Sequence, residues 1–166
     1  MEKTGVLSKE NAKTLGAVGM VARSSGIDID SRYFDFDYSF KKEPFKGTGD
    51  VYSRFKLRYK EVIDSINFVR KFLGELENLQ GELKVDDYKK GEISANSFVI
   101  STTEGWRGEI IHTVLTGANG EILRYKIKDP SFNNWYLLSL AVKNNGISDF
   151  PLCNKSFNLS YCGADL

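Results

Sequence analysis

The chain has few of the side chains that most often carry catalysis. Its 166 residues contain one histidine, two cysteines and three prolines. The histidine, His112, has no acidic or cysteine neighbour at ligand spacing, so a packed or surface position is favoured over a metal-binding or general-base role. The sequence also lacks a glycine-rich phosphate loop, a Gly-x-Ser-x-Gly elbow and zinc-type cysteine pairs. These absences exclude the usual signatures of nucleotide-binding proteins, serine hydrolases and zinc sites.

Long apolar runs and an excess of one charge are absent as well. The longest apolar stretch, 135–142, is too short to span a bilayer, and the N-terminus lacks the apolar core of a signal peptide. The 23 basic and 22 acidic residues nearly cancel, which indicates neither nucleic acid nor an anionic membrane surface as a partner. We expect a cytoplasmic chain with one domain over residues 1–166, in which Cys153 and Cys162 are reduced thiols.

The clearest structural signal is a β-hairpin at about residues 110–128. The runs Ile110–Thr116 and Ile122–Lys128 are rich in β-branched and aromatic residues, and 117–120 between them tolerate the positive φ of a tight turn. In the second run apolar residues alternate with basic ones, which predicts one buried face and one wet, basic face. The apolar positions are Leu123, Tyr125 and Ile127. Asp129-Pro130 then ends the strand, because proline has no N–H to donate.

The best helix prediction covers Asp50 to Leu73. Apolar residues recur at spacings of four and three and form one continuous stripe. The stripe consists of Val51, Phe55, Tyr59, Val62, Ile66, Val69 and Leu73. Asp50 is predicted to cap the helix and Gly74 to end it.

Weaker signals complete an α+β class, with helices and a small antiparallel sheet. Ser8 is predicted to cap a short helix that ends at Gly16. A strand is predicted beside the hairpin at Ser97–Thr102, and a further helix at Trp135–Asn144.

Several motifs, in order along the chain, resemble those of one protein family. Glu104–Glu109, the hairpin and Lys126–Asn134 resemble its "E-x-x-R-G-E … K-I-R-x-P-S-F-x-N" run. Upstream, Thr4–Arg32 resembles "G-x-x-x-R-A-S-G-x-D-x-D-x-R" and Gly49–Arg54 resembles "G-D-V-Y-A-R". The family comprises the large subunit of membrane-associated, energy-converting nickel-iron hydrogenases and its relative, the 49-kDa (D) subunit of respiratory complex I. The resemblance implies a partial large-subunit fold, because it covers only the C-terminal part of such a subunit.

The last eleven residues lie where the family has its closing motif, "S-x-D-P-C-x-x-C". In the hydrogenases those two cysteines are half of the thiolate ligands of the nickel-iron centre. The gapless match places Ser160 and Gly163 at the two ligand positions, and neither supplies a soft thiolate. The other two ligands belong to an N-terminal half that this sequence does not contain. The resemblance therefore implies a chain whose nickel site is lost.

Two classes of function follow from this resemblance. The first is the C-terminal domain of a metal-free subunit that scaffolds an electron-transfer complex linked to a quinone, NADH or an ion pump. Such a domain binds no cofactor itself and is inactive alone; the full complex holds an iron-sulfur cluster in its small subunit, and a quinone. The implied partners are that small subunit, the N-terminal portion of the large subunit and a 30-kDa-like subunit, through which the chain reaches the cytoplasmic membrane. The second class is a stand-alone interaction module without electron transfer.

A few residues are candidates for these roles. Arg23 either hydrogen-bonds backbone carbonyls or faces the cavity beside the family's active site. Arg54 and Arg58, in the first turns of the long helix, belong either to a solvated face or to an electropositive contact for a partner subunit. Tyr33–Phe45 is rich in aromatic residues and either covers the chain's own core or adheres to a neighbouring subunit. Its candidate contact residues are Tyr33, Phe34 and Phe36.

Overall fold

The computed structural model describes residues 1–34, 44–78, 81 and 93–165. The helices are α1 (Lys9–Thr14), α2 (Gly19–Ser24), α3 (Val51–Leu76), α4 (Pro130–Ala141), α5 (Phe150–Phe157) and α6 (Tyr161–Ala164). The strands are β1 (Phe98–Gly105), β2 (Gly108–Thr116) and β3 (Ile122–Lys128), with short 3-10 turns at Ser31–Phe34 and Ile147–Asp149. The strands form one antiparallel sheet in the order β1-β2-β3. The predicted α+β class and the hairpin are confirmed.

Capping side chains fix where the main helices begin. The Ser8 hydroxyl accepts a hydrogen bond from the Asn11 N–H at 3.1 Å, and the Asp50 carboxylate accepts one from the Ser53 N–H at 2.7 Å. Helix α4 begins at Pro130 and not at Trp135 as predicted. The reason is that Asp129-Pro130, which ends β3, also supplies the cap and the first residue of the helix.

Helix α3 also differs from its prediction, because it continues through Gly74 to Leu76. A glycine in the middle of a helix costs about 1 kcal/mol relative to alanine, which a long helix tolerates. Gly74 therefore does not act as the end of this helix.

The core lies between α1, α2, the first turns of α3, and helices α4 and α5. Its largest fully buried apolar members are Leu7, Met20, Val21, Val51, Leu57, Leu137 and Phe157. The sheet meets this core where Gly19 contacts Gly108. A Cβ atom on Gly19 would lie 2.2 Å from the Gly108 Cα, and Gly19 has φ +61°, so only glycine fits there. This contact places α2 directly against the base of the sheet.

Two apolar surfaces are exposed, and one of them, the face of β3 with Leu123 and Tyr125, was predicted to be buried. The α3 stripe is buried at Val51, but Phe55 is 54% exposed, Ile66 43% and Leu73 57%. On the sheet, Leu123 is 61% and Tyr125 50% exposed. The buried face of α3 lies to one side of the stripe, and the core ends near its third turn, so no residue beyond Glu61 in this helix is buried.

Other predictions about single residues hold. His112 is half-buried on β2, with its Nδ1 atom 2.5 Å from the Tyr125 hydroxyl, which confirms a packed surface position. Cys153 is buried, Cys162 is exposed and both are free thiols, as expected. Among the described residues, no helix is long and apolar enough to cross a membrane.

Candidate functional site

Arg23 is the centre of a buried ionic cluster. It lies on α2 and is 5% exposed. Its Nε atom donates to Glu61 Oε1 at 2.8 Å, and its Nη1 atom donates to Glu104 Oε1 at 2.7 Å and to the Ile29 carbonyl at 3.2 Å. Asp30 lies 3.5 Å from Nη1. One guanidinium therefore connects α2, α3, β1 and the segment before the first 3-10 turn.

Asp30 and the 3-10 turn that follows it supply the second half of the cluster. The Arg32 guanidinium pairs with both Asp30 carboxylate oxygens, at 2.8 Å from Nε and 2.5 Å from Nη2. The Ser31 N–H donates to Glu104 Oε2 at 3.2 Å, and the Ser31 hydroxyl donates to Glu109 Oε2 at 3.0 Å. Both glutamates of the Glu104–Glu109 motif thus hold this turn against the sheet.

The charges of the cluster stabilise one another. Burial lowers the pKa of Arg23, but Glu61, Glu104 and Asp30 outweigh it and hold that pKa above its usual value. Burial raises the pKa of Asp30, but the hydrogen bond from Arg32 and the charge of Arg23 hold it below its usual value. Arg23 and Asp30 are therefore both charged at neutral pH.

A cleft of about 210 Å³ opens beside this cluster. It is lined by Arg23, Arg32, Glu61, Glu104 and Trp106, among others. Arg23 therefore faces a cleft and also donates to a backbone carbonyl, so each of its two interpretations describes part of its surroundings. That this cleft belongs to the family's active-site cavity stays a prediction.

Sequence reasoning missed Glu61 as a partner of Arg23. The signal was the helical spacing of Val51, Arg54, Leu57 and Glu61, which places two charged residues on the same face as two apolar ones. All four are buried. The continuous apolar stripe is the stronger pattern in the sequence, but it marks the neighbouring face, which is the exposed one.

Arg54 is wholly buried, which corrects the expectation of an exposed partner contact. Its Nη1 donates to the Gly49 carbonyl at 2.6 Å, its Nη2 to the Gly5 carbonyl at 2.8 Å and its Nε to the Ser156 hydroxyl at 2.9 Å. The guanidinium lies 4.4 Å from the centroid of the Phe157 ring. Burial lowers the pKa of Arg54 to about 10, so the group stays protonated at neutral pH. Arg54, on α3, therefore holds both the N-terminal segment at Gly5 and helix α5 at Ser156 by hydrogen bonds.

The other residues predicted to contact a partner subunit are Arg58, Tyr33, Phe34 and Phe36, and of these Arg58 and Tyr33 are less buried than Arg54. Arg58 is half-buried, donates to the Ser156 carbonyl at 3.3 Å and lies 5.4 Å from the Trp106 ring, so it is also not a freely solvated charge. Tyr33 is 39% exposed and donates to Asp28. Phe34 ends the 3-10 turn, and Phe36 lies outside the described residues. A subunit contact at these aromatic positions stays a prediction.

Ser160 and Gly163, the two residues at the lost ligand positions, are hydrogen-bonded to each other at the start of α6. The Ser160 hydroxyl caps α6 by accepting a hydrogen bond from the Gly163 N–H at 3.0 Å. A Cβ atom on Gly163 would lie 2.6 Å from the Asp129 carboxyl carbon. Asp129 in turn caps α4, accepting from the Ser131 N–H at 2.7 Å. A cysteine at 163 would therefore collide with a helix cap, so these residues do not fit a nickel-iron centre.

We predict that Gly163→Ala lowers the free energy of unfolding by about 1 kcal/mol, because the added methyl displaces the Asp129 cap. Chemical denaturation measures this change. Gly74→Ala is the matched control: nothing lies within 4 Å of its added Cβ, and this helical substitution is expected to stabilise by about 0.5 to 1 kcal/mol. An equal loss when Gly163→Ala is made in an Asp129→Ala background would show that the cap is not the cause.

Comparison with known proteins agrees with the motifs and the fold. Residues 1–98, more than half of the chain, match the family described as the 49-kDa subunit of respiratory-chain NADH dehydrogenase. The chain belongs to this family. The resemblance inferred from the sequence is thereby confirmed.

Individual relatives come from both branches of the family. The chain is 29% identical to formate hydrogenlyase subunit 5 of Escherichia coli over 97% of its own length and 28% of that protein. It is 31% identical to the carbon monoxide-induced hydrogenase of Rhodospirillum rubrum, over 93% of its own length and 42% of that protein. It is 29% identical to a D-type NADH-quinone oxidoreductase subunit of Cytophaga hutchinsonii, over 94% of its own length and 47% of that protein. The chain thus spans less than half the length of these relatives.

A solved structure shows the same fold. The chain superposes on a chain of the membrane-bound sulfane sulfur reductase, an archaeal respiratory membrane complex, with a TM-score of 0.85 and 20% identity. The match covers 99% of this chain and 46% of that one. The predicted partial large-subunit fold is confirmed.

Proposed function

We propose that this chain is the metal-free C-terminal portion of a 49-kDa-like subunit and scaffolds an electron-transfer complex. The observation that carries this proposal is the exposed apolar stripe of α3, on which Tyr59 is 66% and Val69 55% exposed. A stripe at helical spacing is the pattern of a helix that packs against others. Since the chain spans less than half of its relatives, the rest of such a subunit is the natural occupant of this surface.

The metal-free part of the proposal is supported by the end of the chain. A nickel-iron centre uses soft thiolate ligands, whereas a serine hydroxyl is a hard, protonated oxygen at neutral pH and glycine has no side chain. Ser160 is already used as a helix cap, and Gly163 lies against Asp129. Within the described part of the chain, no three His, Cys, Asp or Glu residues are grouped to hold a metal ion.

The proposed partners are an iron-sulfur small subunit, the N-terminal portion of the large subunit and a 30-kDa-like subunit. Electrons would pass through the iron-sulfur cluster of the small subunit and a quinone bound elsewhere in the complex. This chain would lie at the cytoplasmic side of the membrane, held there by its partners. Its buried ionic cluster would serve as a rigid wall beside that electron-transfer route, because Arg23 fixes three elements at once.

The chain in isolation is expected to self-associate, because the α3 stripe then lacks its cover. Analytical ultracentrifugation over a range of concentrations measures this. Replacing Ile66, Val69 and Leu73 together by glutamate should restore a monomer, and the stability should change little because all three are exposed.

The matched control is a triple replacement by glutamate at Lys9, Lys13 and Lys143, which are exposed but lie off the stripe. This control should still self-associate. A wild-type chain that stays monomeric at high concentration would contradict the scaffold proposal and favour a stand-alone module.

A further inference from the structure

One face of the sheet carries a row of basic side chains. Arg124, Lys126 and Lys128 alternate along β3, so all three project from the same face at intervals of about 7 Å. All are exposed, and none forms an ion pair with a residue that the structure describes. They are the only lysine and arginine residues on the three described strands.

An apolar row lies beside these charges on the same face. The strand register pairs Leu115 of β2 with Arg124 on one side and with Phe98 of β1 on the other. Leu115 is 40% exposed, Phe98 63% and Ile100, two residues further along β1, 57%. The basic sheet face is defined by these residues, namely Phe98, Ile100, Leu115, Arg124, Lys126 and Lys128.

The opposite face has a different character. There the register aligns Val99, Val114 and Tyr125, and no lysine or arginine of the described strands projects from it. Basic residues on an edge strand also discourage pairing with a second sheet. The opposite face also has exposed apolar residues, with Val99 56% and Tyr125 50% exposed, but only the first face combines exposed apolar side chains with lysine and arginine.

We propose that the basic sheet face docks an acidic surface of a partner protein, with carboxylates opposite β3 and apolar side chains over Phe98 and Ile100. A mixed surface of this kind is typical of a protein interface, which has an apolar centre and a polar rim. The formal net charge of +1 gives the chain no broad field for nucleic acid or anionic lipid. This inference rests on the proposed function, because it needs the chain to be part of a complex.

The test uses the complex purified from membranes of the source organism through a tag on this chain. A carbodiimide joins lysine amines directly to carboxylates, and mass spectrometry then locates the joined residues. We expect cross-links from Lys126 and Lys128 to acidic residues of a partner polypeptide. Cross-links of the partners confined to other lysines of this chain would overturn the proposal.

Charge reversal provides a second readout. Replacing Arg124, Lys126 and Lys128 by glutamate should lower recovery of the partner at least tenfold, with the remaining binding less sensitive to salt. The glutamate triple at Lys9, Lys13 and Lys143 changes the net charge equally and should leave recovery unchanged. Equal recovery with both triples would defeat this inference alone, whereas a wild-type chain that recovers no partner would defeat the proposed function as well.

A separate experiment tests whether the basic sheet face binds anionic lipid and not a protein. The purified chain is sedimented with vesicles of phosphatidylglycerol at physiological salt. We expect no binding above that to neutral phosphatidylcholine vesicles. Suppose instead that glutamate at Arg124, Lys126 and Lys128 abolishes vesicle binding, whereas glutamate at Lys9, Lys13 and Lys143 does not. The face would then recognise anionic lipid, and the proposed docking of a protein would be overturned.

Discussion

Replacing Arg54 by methionine is expected to lower the free energy of unfolding by at least about 3 kcal/mol. The side chain is wholly buried, and its guanidinium satisfies the carbonyls of Gly5 and Gly49. Methionine keeps much of the volume but donates no hydrogen bond, and each hydrogen bond lost from a charged group costs about 1.5 to 3 kcal/mol. The Gly5 carbonyl also loses its donor, whereas the Gly49 carbonyl keeps a hydrogen bond from the Leu7 N–H at 2.9 Å. Urea denaturation followed by circular dichroism measures the loss.

Arg58→Met is the matched control for this experiment, because Arg58 lies four residues further along the same helix and is only half-buried. Its hydrogen bond to the Ser156 carbonyl is long, at 3.3 Å, so the expected loss is below about 1 kcal/mol. Arg54→Lys should recover part of the loss, since an ammonium group can reach one acceptor but not all three. Equal losses for Arg54→Met and Arg58→Met would contradict the structural role assigned to Arg54.

Replacing Arg23 by methionine is expected to cost about 3 to 5 kcal/mol at pH 7. The substitution removes the guanidinium that the buried carboxylates of Asp30, Glu61 and Glu104 share, while Arg32 still pairs with Asp30. The loss should be smaller below about pH 4, because Asp30, whose charge Arg23 stabilises, can then be protonated.

The wild-type protein should show the complementary pH dependence. The pKa of Asp30 is lower in the folded state than its usual value, because Arg32 and Arg23 stabilise the carboxylate. Its stabilising contribution is therefore present above about pH 4 and is lost as the pH falls through the folded pKa. Denaturation of both proteins at pH 7 and at a pH of about 2 to 3 measures the difference. The same energetic cost of Arg23→Met at both pH values would mean that Arg23 acts by packing and not by charge.

Local signals in the sequence are sufficient to predict the hairpin and the starts of α1 and α3. Ser8, Asp50 and the Asp129-Pro130 pair act through hydrogen bonds and backbone restrictions that extend over a few residues, so the sequence alone reveals them. The predicted start of α4 is wrong because Asp129-Pro130 has two roles, and only its role as the end of a strand entered the prediction.

Burial cannot be predicted in the same way. A helical period shows which residues share a face, but it does not show which face the rest of the chain covers. The α3 stripe has the pattern of a core face, yet Phe55, Tyr59 and Ile66 are exposed, while Arg54 and Glu61 on the neighbouring face are buried. Under the proposed function, this stripe would face parts of the subunit or its partners that are not in this sequence.

The most direct measurement is native mass spectrometry of the complex, purified without oxygen from membranes through a tag on this chain. We expect an assembly that contains an iron-sulfur subunit and the N-terminal portion of the large subunit, and this chain should be released from it at its polypeptide mass, without nickel. Release of the chain with one nickel ion that survives a chelator and is lost in Cys162→Ser would contradict the metal-free assignment. Recovery of the chain alone would contradict its role as a scaffold.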